Sequence, residues 1–204
     1  MGNWTLNPFT GKFDYGAPAP YVLPSITLSG GGHYEIGSTV HNITLSWACN
    51  KTMTDIIVNG VDQGPGQSGS MLVTQDFTTD TTFSATCSDG KNTSSATTSI
   101  TFLNIYYWGS NALTSLDNTD VLALSQALAY GRSSNNTYNC AGGKYIWICY
   151  PASMGTATFT VGGLQVTFTL TVQSVTNSEG YSESYNCYRS NNLLNNSAIT
   201  VTVS

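Results

Sequence analysis

The sequence predicts an all-β protein, two β-sandwich domains behind an extended N-terminal arm. Three observations predict it. Apolar residues recur at every second position over long stretches, as at Ile43, Leu45, Trp47 and Cys49. That period places one strand face in a core and the other in water. Turn dipeptides such as Asn59-Gly60 and Asp89-Gly90 punctuate the runs and favour tight hairpins. Charged residues make up only 8% of the 204 residues, whereas hydrophobic residues reach 40% and aromatics 11%. Ordinary soluble domains carry about 25% charge, so this surface is built from Thr, Ser, Asn and Gly, and the length suits two domains.

Residues 1–22 read as the arm. Trp4, Phe9, Phe13 and Tyr15 are large apolar groups ahead of any folded pattern. Pro8 biases Asn7 toward extended backbone, Thr10-Gly11-Lys12 reads as a tight turn, and Pro18 and Pro20 stiffen the exit. Two readings are open: the arm folds back on its own domain, or it docks into another protein.

Residues 23–103 form the first domain. Ile26 and Leu28 open it, and the run Ile43 to Cys49 follows. Ile56, Val58 and Val61 flank Asn59-Gly60, and Gly64-Pro65-Gly66 is a loop. Met71, Val73, Phe77, Phe83, Ala85 and Cys87 come next, and Ala96, Thr98, Ile100 and Phe102 end the domain. About seven short strands with regular turns are the pattern of an immunoglobulin-like sandwich. Residues 104–204 form the second domain. Its helix, near residues 118–130, takes Asp117, Asn118 or Thr119 as N-cap, with Val121, Leu124, Ala127 and Leu128 at helical spacing. Strands follow at Tyr145–Tyr150, Thr156–Val161, Gln165–Val175 and Ala198–Val203.

These residues carry a resemblance. The run Asn7-Pro8-Phe9-Thr10-Gly11-Lys12-Phe13-Asp14, followed by immunoglobulin-like domains, resembles a family of tailed-bacteriophage virion proteins that includes fibre, spike, neck and tail-appendage components. Tyr34 to Val40 with Ile43 to Trp47, then Tyr106-Tyr107-Trp108-Gly109, Tyr145 to Ala152, Phe159 to Gly163 and Tyr185 to Ser190, continue it in order. The resemblance implies a structural role in a tail fibre, neck or collar, or short appendage or adaptor, located in the virion. It implies partner docking through Trp4, Asn7, Pro8, Phe9, Thr10, Gly11, Phe13, Asp14 and Tyr15. The partners would be other tail, neck or capsid proteins and further copies of the chain, with a host-surface glycan as a further contact. The alternatives are a secreted carbohydrate-binding or adhesin module and a capsid decoration protein.

Several classes of function are not expected. A net charge of −5 with six Lys plus Arg offers no footprint for nucleic acid. No segment suits membrane insertion, and Met1-Gly2-Asn3-Trp4 lacks the basic and apolar parts of an export signal. No enzyme activity and no cofactor are expected: there is no Gly-x-Ser-x-Gly elbow, and Gly142-Gly143-Lys144 lacks phosphate-loop spacing. His33 and His41 read as surface loop residues. Glu179 and Glu183 read as part of a hairpin loop, and Asp117 with Asp120 as acids at a helix start. No metal site is expected from the five cysteines, which form no Cys-x-x-Cys pair.

Cys49 and Cys87 are candidate disulfide partners or two small buried hydrophobes. In the second domain Cys149 with Cys187 is the favoured pair. Tyr130, Tyr138, Tyr181 and Tyr188, with Tyr185, are candidate glycan contacts, because sugar C–H faces stack on rings. They also suit a sandwich surface or interface.

Overall fold

The computed structural model describes residues 4–15 and 20–204, without the side chains of residues 13–15. Met1–Asn3 and the expected stiffening at Pro18 lie outside the described residues, as do the side chains of Phe13, Asp14 and Tyr15. Among the described residues nearly all regular structure is strand. β1 (Trp4–Leu6) and β2 (Phe13–Tyr15) form a sheet of their own. They are followed by β3 (Ile26–Ser29), β4 (Gly32–Glu35), β5 (Val40–Met53), β6 (Asp55–Val58), β7 (Val61–Asp62), β8 (Gly66–Phe77), β9 (Thr81–Ser88) and β10 (Thr93–Leu103). These make an immunoglobulin-like sandwich of a three-stranded sheet, β3-β5-β8, and a five-stranded sheet, β4-β10-β9-β6-β7.

The remainder comprises β11 (Ile105–Asn111), α1 (Asn118–Leu122), β12 (Ser125–Leu128), β13 (Ser134–Tyr138) and β14 (Tyr145–Pro151). A 3-10 turn (Ala152–Met154) leads to β15 (Phe159–Val161), β16 (Leu164–Val166), β17 (Phe168–Thr176), β18 (Ser182–Ser190) and β19 (Ile199–Val203). A five-stranded sheet, β12-β11-β14-β18-β17, and a four-stranded sheet, β13-β19-β15-β16, form this second sandwich.

By contacts the chain divides into two compact units. One comprises the residues up to Ser29, Leu45–Met71 and Phe83–Thr97; the other comprises Gly30–Thr44, Leu72–Thr82 and Thr98–Ser204. Strands β5, β8, β9 and β10 run from one unit into the other. In the first unit the alternation of β5 buries Leu45, Trp47 and Cys49 and exposes Ser46, Ala48 and Asn50. Phe83, Ala85 and Cys87 are the buried set of β9. Asn59 and Gly60 close β6 to β7 with positive φ at both (50° and 77°), the backbone of a type I′ turn.

In the second unit the centre of the five-stranded sheet is buried on both faces, so β14 is an apolar run rather than an alternating one. One face contributes Tyr106, Ile146, Ile148, Tyr150 and Tyr188 to a core completed by Tyr138, Phe159, Val201 and Val203 of the four-stranded sheet. Tyr106, Tyr150 and Tyr188 stack in series, with ring centroids 6.0 and 5.7 Å apart. The other face contributes Tyr107, Trp147, Cys149, Tyr185 and Cys187, which pack with Leu116 and Val121 of the α1 region. In the same unit the loop after β4 meets the β17–β18 turn. Asn177 Nδ2 donates to the Ile36 carbonyl at 2.7 Å. Gly37, at φ 91°, leaves room that a Cβ would lose, since it would lie 2.7 Å from Tyr181 Cβ.

Three sequence expectations are corrected. The helix begins as expected, with a reciprocal capping box between Asp117 and Asp120, which explains both acids. It ends at Leu122, however, and Ser125–Leu128 is strand β12, paired antiparallel with β11. Sheet pairing outweighs the helical spacing of Leu124, Ala127 and Leu128, because five helical residues have little stability of their own. The single strand expected over Gln165–Val175 breaks at Thr167: β16 belongs to the four-stranded sheet and β17 to the five-stranded one. His33 and His41 stand on strands β4 and β5, not in loops; His33 meets the Tyr130 ring edge-on and His41 pairs with Asp76.

Candidate functional site

The arm is extended backbone folded into a hairpin, with Trp4 opposite Tyr15, Thr5 opposite Asp14 and Leu6 opposite Phe13. Asn7 organises its loop. Its N–H donates to the Lys12 carbonyl at 2.8 Å, its own carbonyl accepts from Thr10 and Gly11, and its side-chain oxygen accepts the Phe9 N–H at 3.0 Å. The Thr10 hydroxyl accepts the Lys12 N–H. Gly11 turns the chain at φ 63°, where other residues are strained. Asn7, Pro8, Thr10 and Gly11 thus shape a loop that carries Phe9 at its tip. Phe9 is 95% exposed, Trp4 64% and Leu6 58%. Water in contact with that much apolar surface makes its burial by another body favourable.

The segment leaving the arm is strapped down within its unit. The Lys51 ammonium donates to the Val22 carbonyl (2.5 Å) and the Asp89 carboxylate (2.6 Å), and lies 4.5 Å from the centre of the Tyr21 ring. The Tyr21 hydroxyl donates to the same Asp89 oxygen. The other Asp89 oxygen accepts the N–H groups of Lys91 and Asn92 in the turn between β9 and β10. Asn50 bonds both Leu23 and Ser25. Lys51 first, then Tyr21, then the backbone of Asn92, hold the Asp89 carboxyl far below the usual carboxylate range. A depressed carboxyl contributes stability that is present above its unfolded pKa, about 4, and lost as pH falls through the folded value. Asp89→Asn is therefore expected to lower the melting temperature at neutral pH, with the gap to wild type closing on acidification below about pH 4. A gap independent of pH would show that the clasp does not act through its charge.

The tyrosines divide. Tyr130 is 71% exposed and Tyr181 37%, so both reach solvent. Tyr138 and Tyr188 are buried in the inter-sheet core, and Tyr185 on the opposite face. They are corrected from glycan contacts to core residues, because their strand positions point inward. The Tyr188 hydroxyl accepts the Ala157 N–H.

All five cysteines are buried free thiols. The two pairs read from the sequence are near neighbours: Cys49 and Cys87 lie close enough to influence one another, and Cys149 and Cys187 stand directly opposite on β14 and β18. Burial first, then the neighbouring thiol, pushes Cys49 up to about 11 and Cys149 well above the ordinary value. Such thiols are poor nucleophiles at neutral pH. Cys140 lies in the inter-sheet core, where burial raises it too. Among the described residues no three metal-ligating side chains cluster, and no helix is long and apolar enough to cross a membrane.

A cleft of about 590 Å³ opens where the chain crosses between the sheets of the second sandwich, at the break at Thr167. Ile146, Val161, Val166, Phe168, Leu194 and Ile199 give it an apolar floor. Gln165, Thr167, Ser190, Asn191, Asn192 and Asn196 give it a polar lining without any charged side chain. The walls are pinned. Asn191 is held between the hydroxyls of Thr169 (2.8 Å) and Thr167 (3.0 Å). Ser190 accepts the Ile146 N–H and donates to the Asn192 carbonyl. Lys144 and Leu194 exchange backbone hydrogen bonds, and the Asn196 carbonyl accepts from Cys140. Sequence reading did not find this cleft; the only local trace is the dense run of Asn from 191 to 196.

No family model and no curated protein matches the sequence. Among solved structures, the chain is similar to the N-terminal eight Ig domains of Down Syndrome Cell Adhesion Molecule isoform 1.30.30, at 8% identity and a TM-score of 0.27. That match covers 86% of this chain and 23% of the other, so the chain spans about a quarter of the length of the structure it matches.

Proposed function

We propose that this chain is a structural component of a bacteriophage particle, in a tail fibre, neck or collar, or short appendage, and that its N-terminal hairpin anchors it. The observation that carries this reading is the hairpin: a loop built by Asn7, Thr10 and Gly11 to hold Phe9 in solvent beside Trp4 and Leu6. Apolar anchors of this kind fill pockets on a partner. The strap at Tyr21, Lys51 and Asp89 holds the chain just after the hairpin against its own unit, so that less freedom is lost on docking. Several copies would assemble around a particle axis, and the second sandwich would face neighbours or the host.

A secreted carbohydrate-binding or adhesin module is the second reading, favoured by the uncharged cleft of the second sandwich. Electron microscopy of particles purified from lysates of the producing cell, labelled with an antibody to this chain, separates the two. Label at a tail, neck or vertex is the expected result. Antigen confined to the soluble fraction overturns the virion reading and favours the secreted module.

A further inference from the structure

We infer that the cleft between the two sheets of the second sandwich binds a neutral saccharide, one or two rings in size. Its volume, about 590 Å³, falls within the range of small-molecule sites, which combine an apolar lining with a few placed polar groups. Ligand chemistry follows from the lining. None of its side chains is charged, so an ionised ligand would lose water there without gaining a counter-charge. A purely apolar ligand would cover carboxamides and hydroxyls without offering them a partner. A saccharide meets both demands. Its C–H face lies against Phe168 and the aliphatic floor, and its hydroxyls both donate and accept, as a carboxamide does.

Two sets of amides divide the work. Asn191 is committed to Thr167 and Thr169 and holds the wall in place. The carboxamides of Gln165, Asn192 and Asn196 are exposed and make no side-chain hydrogen bond with another described residue. They are the groups left to meet a ligand. A wall pinned at Ser190, Leu194 and Asn196 needs little ordering on binding. The inference concerns the isolated chain and does not depend on which particle or surface carries it.

The test is titration of the full-length, ¹⁵N-labelled protein with glucose, galactose, mannose and N-acetylglucosamine, and with glucuronate as the charged counterpart. At least one neutral sugar is expected to give saturable shifts clustered at residues 165–168 and 190–196, with glucuronate weaker. The double variant Asn192→Ala, Asn196→Ala should weaken that sugar about tenfold. Both side chains are exposed, so the rest of the spectrum should stay in place. No cleft shifts with any neutral sugar, shifts clustered instead around Tyr130 or Tyr181, equal binding of glucuronate, or an unweakened double variant would each overturn the inference. Since the readout needs no particle, a failure here leaves the virion reading standing, and particle localisation can fail without touching this result.

Discussion

If the hairpin is the virion anchor proposed above, replacing Trp4 and Phe9 together with serine should abolish incorporation of the chain into particles while leaving its melting temperature nearly unchanged. Both side chains are mostly in water, at 64% and 95% exposure, so neither supplies much burial to the fold of its own chain. Buried in a partner, each large apolar side chain contributes about 1.5–3 kcal/mol. Losing two removes about 3–6 kcal/mol, two to four orders of magnitude in affinity. The backbone of the loop should survive, because Asn7, Thr10 and Gly11 close it without using the Phe9 ring. Particle composition by gel or mass spectrometry, beside a thermal melt of the purified variant, reads both halves. A sharp fall in melting temperature would assign these aromatics to the chain's own fold and remove the docking argument.

Ile148→Ala should cause the largest loss of stability. Ile148 is completely buried on β14, the central strand of the five-stranded sheet, in the core shared with the four-stranded sheet. Truncation there removes apolar contact and leaves a cavity that rigid neighbours fill only in part. The stacked Tyr106, Tyr150 and Tyr188 rings are such neighbours. Buried Ile→Ala changes cost about 2–5 kcal/mol, a large share of the roughly 5–15 kcal/mol that holds a typical domain folded. Leu170→Ala on edge strand β17 of the same sheet, 39% exposed, should cost much less. Urea unfolding measures both, with a lower midpoint and similar slope expected for Ile148→Ala. Equal losses at the two positions would contradict the two-layer packing.

Strand faces and turns were largely legible in the sequence. The alternation of Ile43, Leu45, Trp47 and Cys49 marks the buried side of β5, and Asn59-Gly60 and Asp89-Gly90 mark turns, because both signals are local. Asp117 likewise declares a helix start through its reciprocal bond with Asp120. Elements whose identity depends on a distant partner were read incompletely. β13 and β18 carry no plain local signal: Ser134–Tyr138 is mostly polar, and β18 mixes buried Tyr, Asn and Cys rather than aliphatic residues. Leu124 to Leu128 has helical spacing, yet its backbone hydrogen bonds go to β11.

By itself, then, the sequence determined the all-β class, the immunoglobulin-like first sandwich and the hairpin turn of the arm. Side-chain period and turn chemistry are properties of a few consecutive residues. Only the tertiary structure decided that the strand breaks at Thr167, that Tyr138 and Tyr188 face a core rather than a sugar, and that a cleft opens between the sheets. Alternation says which side of a strand is apolar, but not which sheet the strand joins or what lies across from it. Those are set by backbone pairing between residues far apart in the chain.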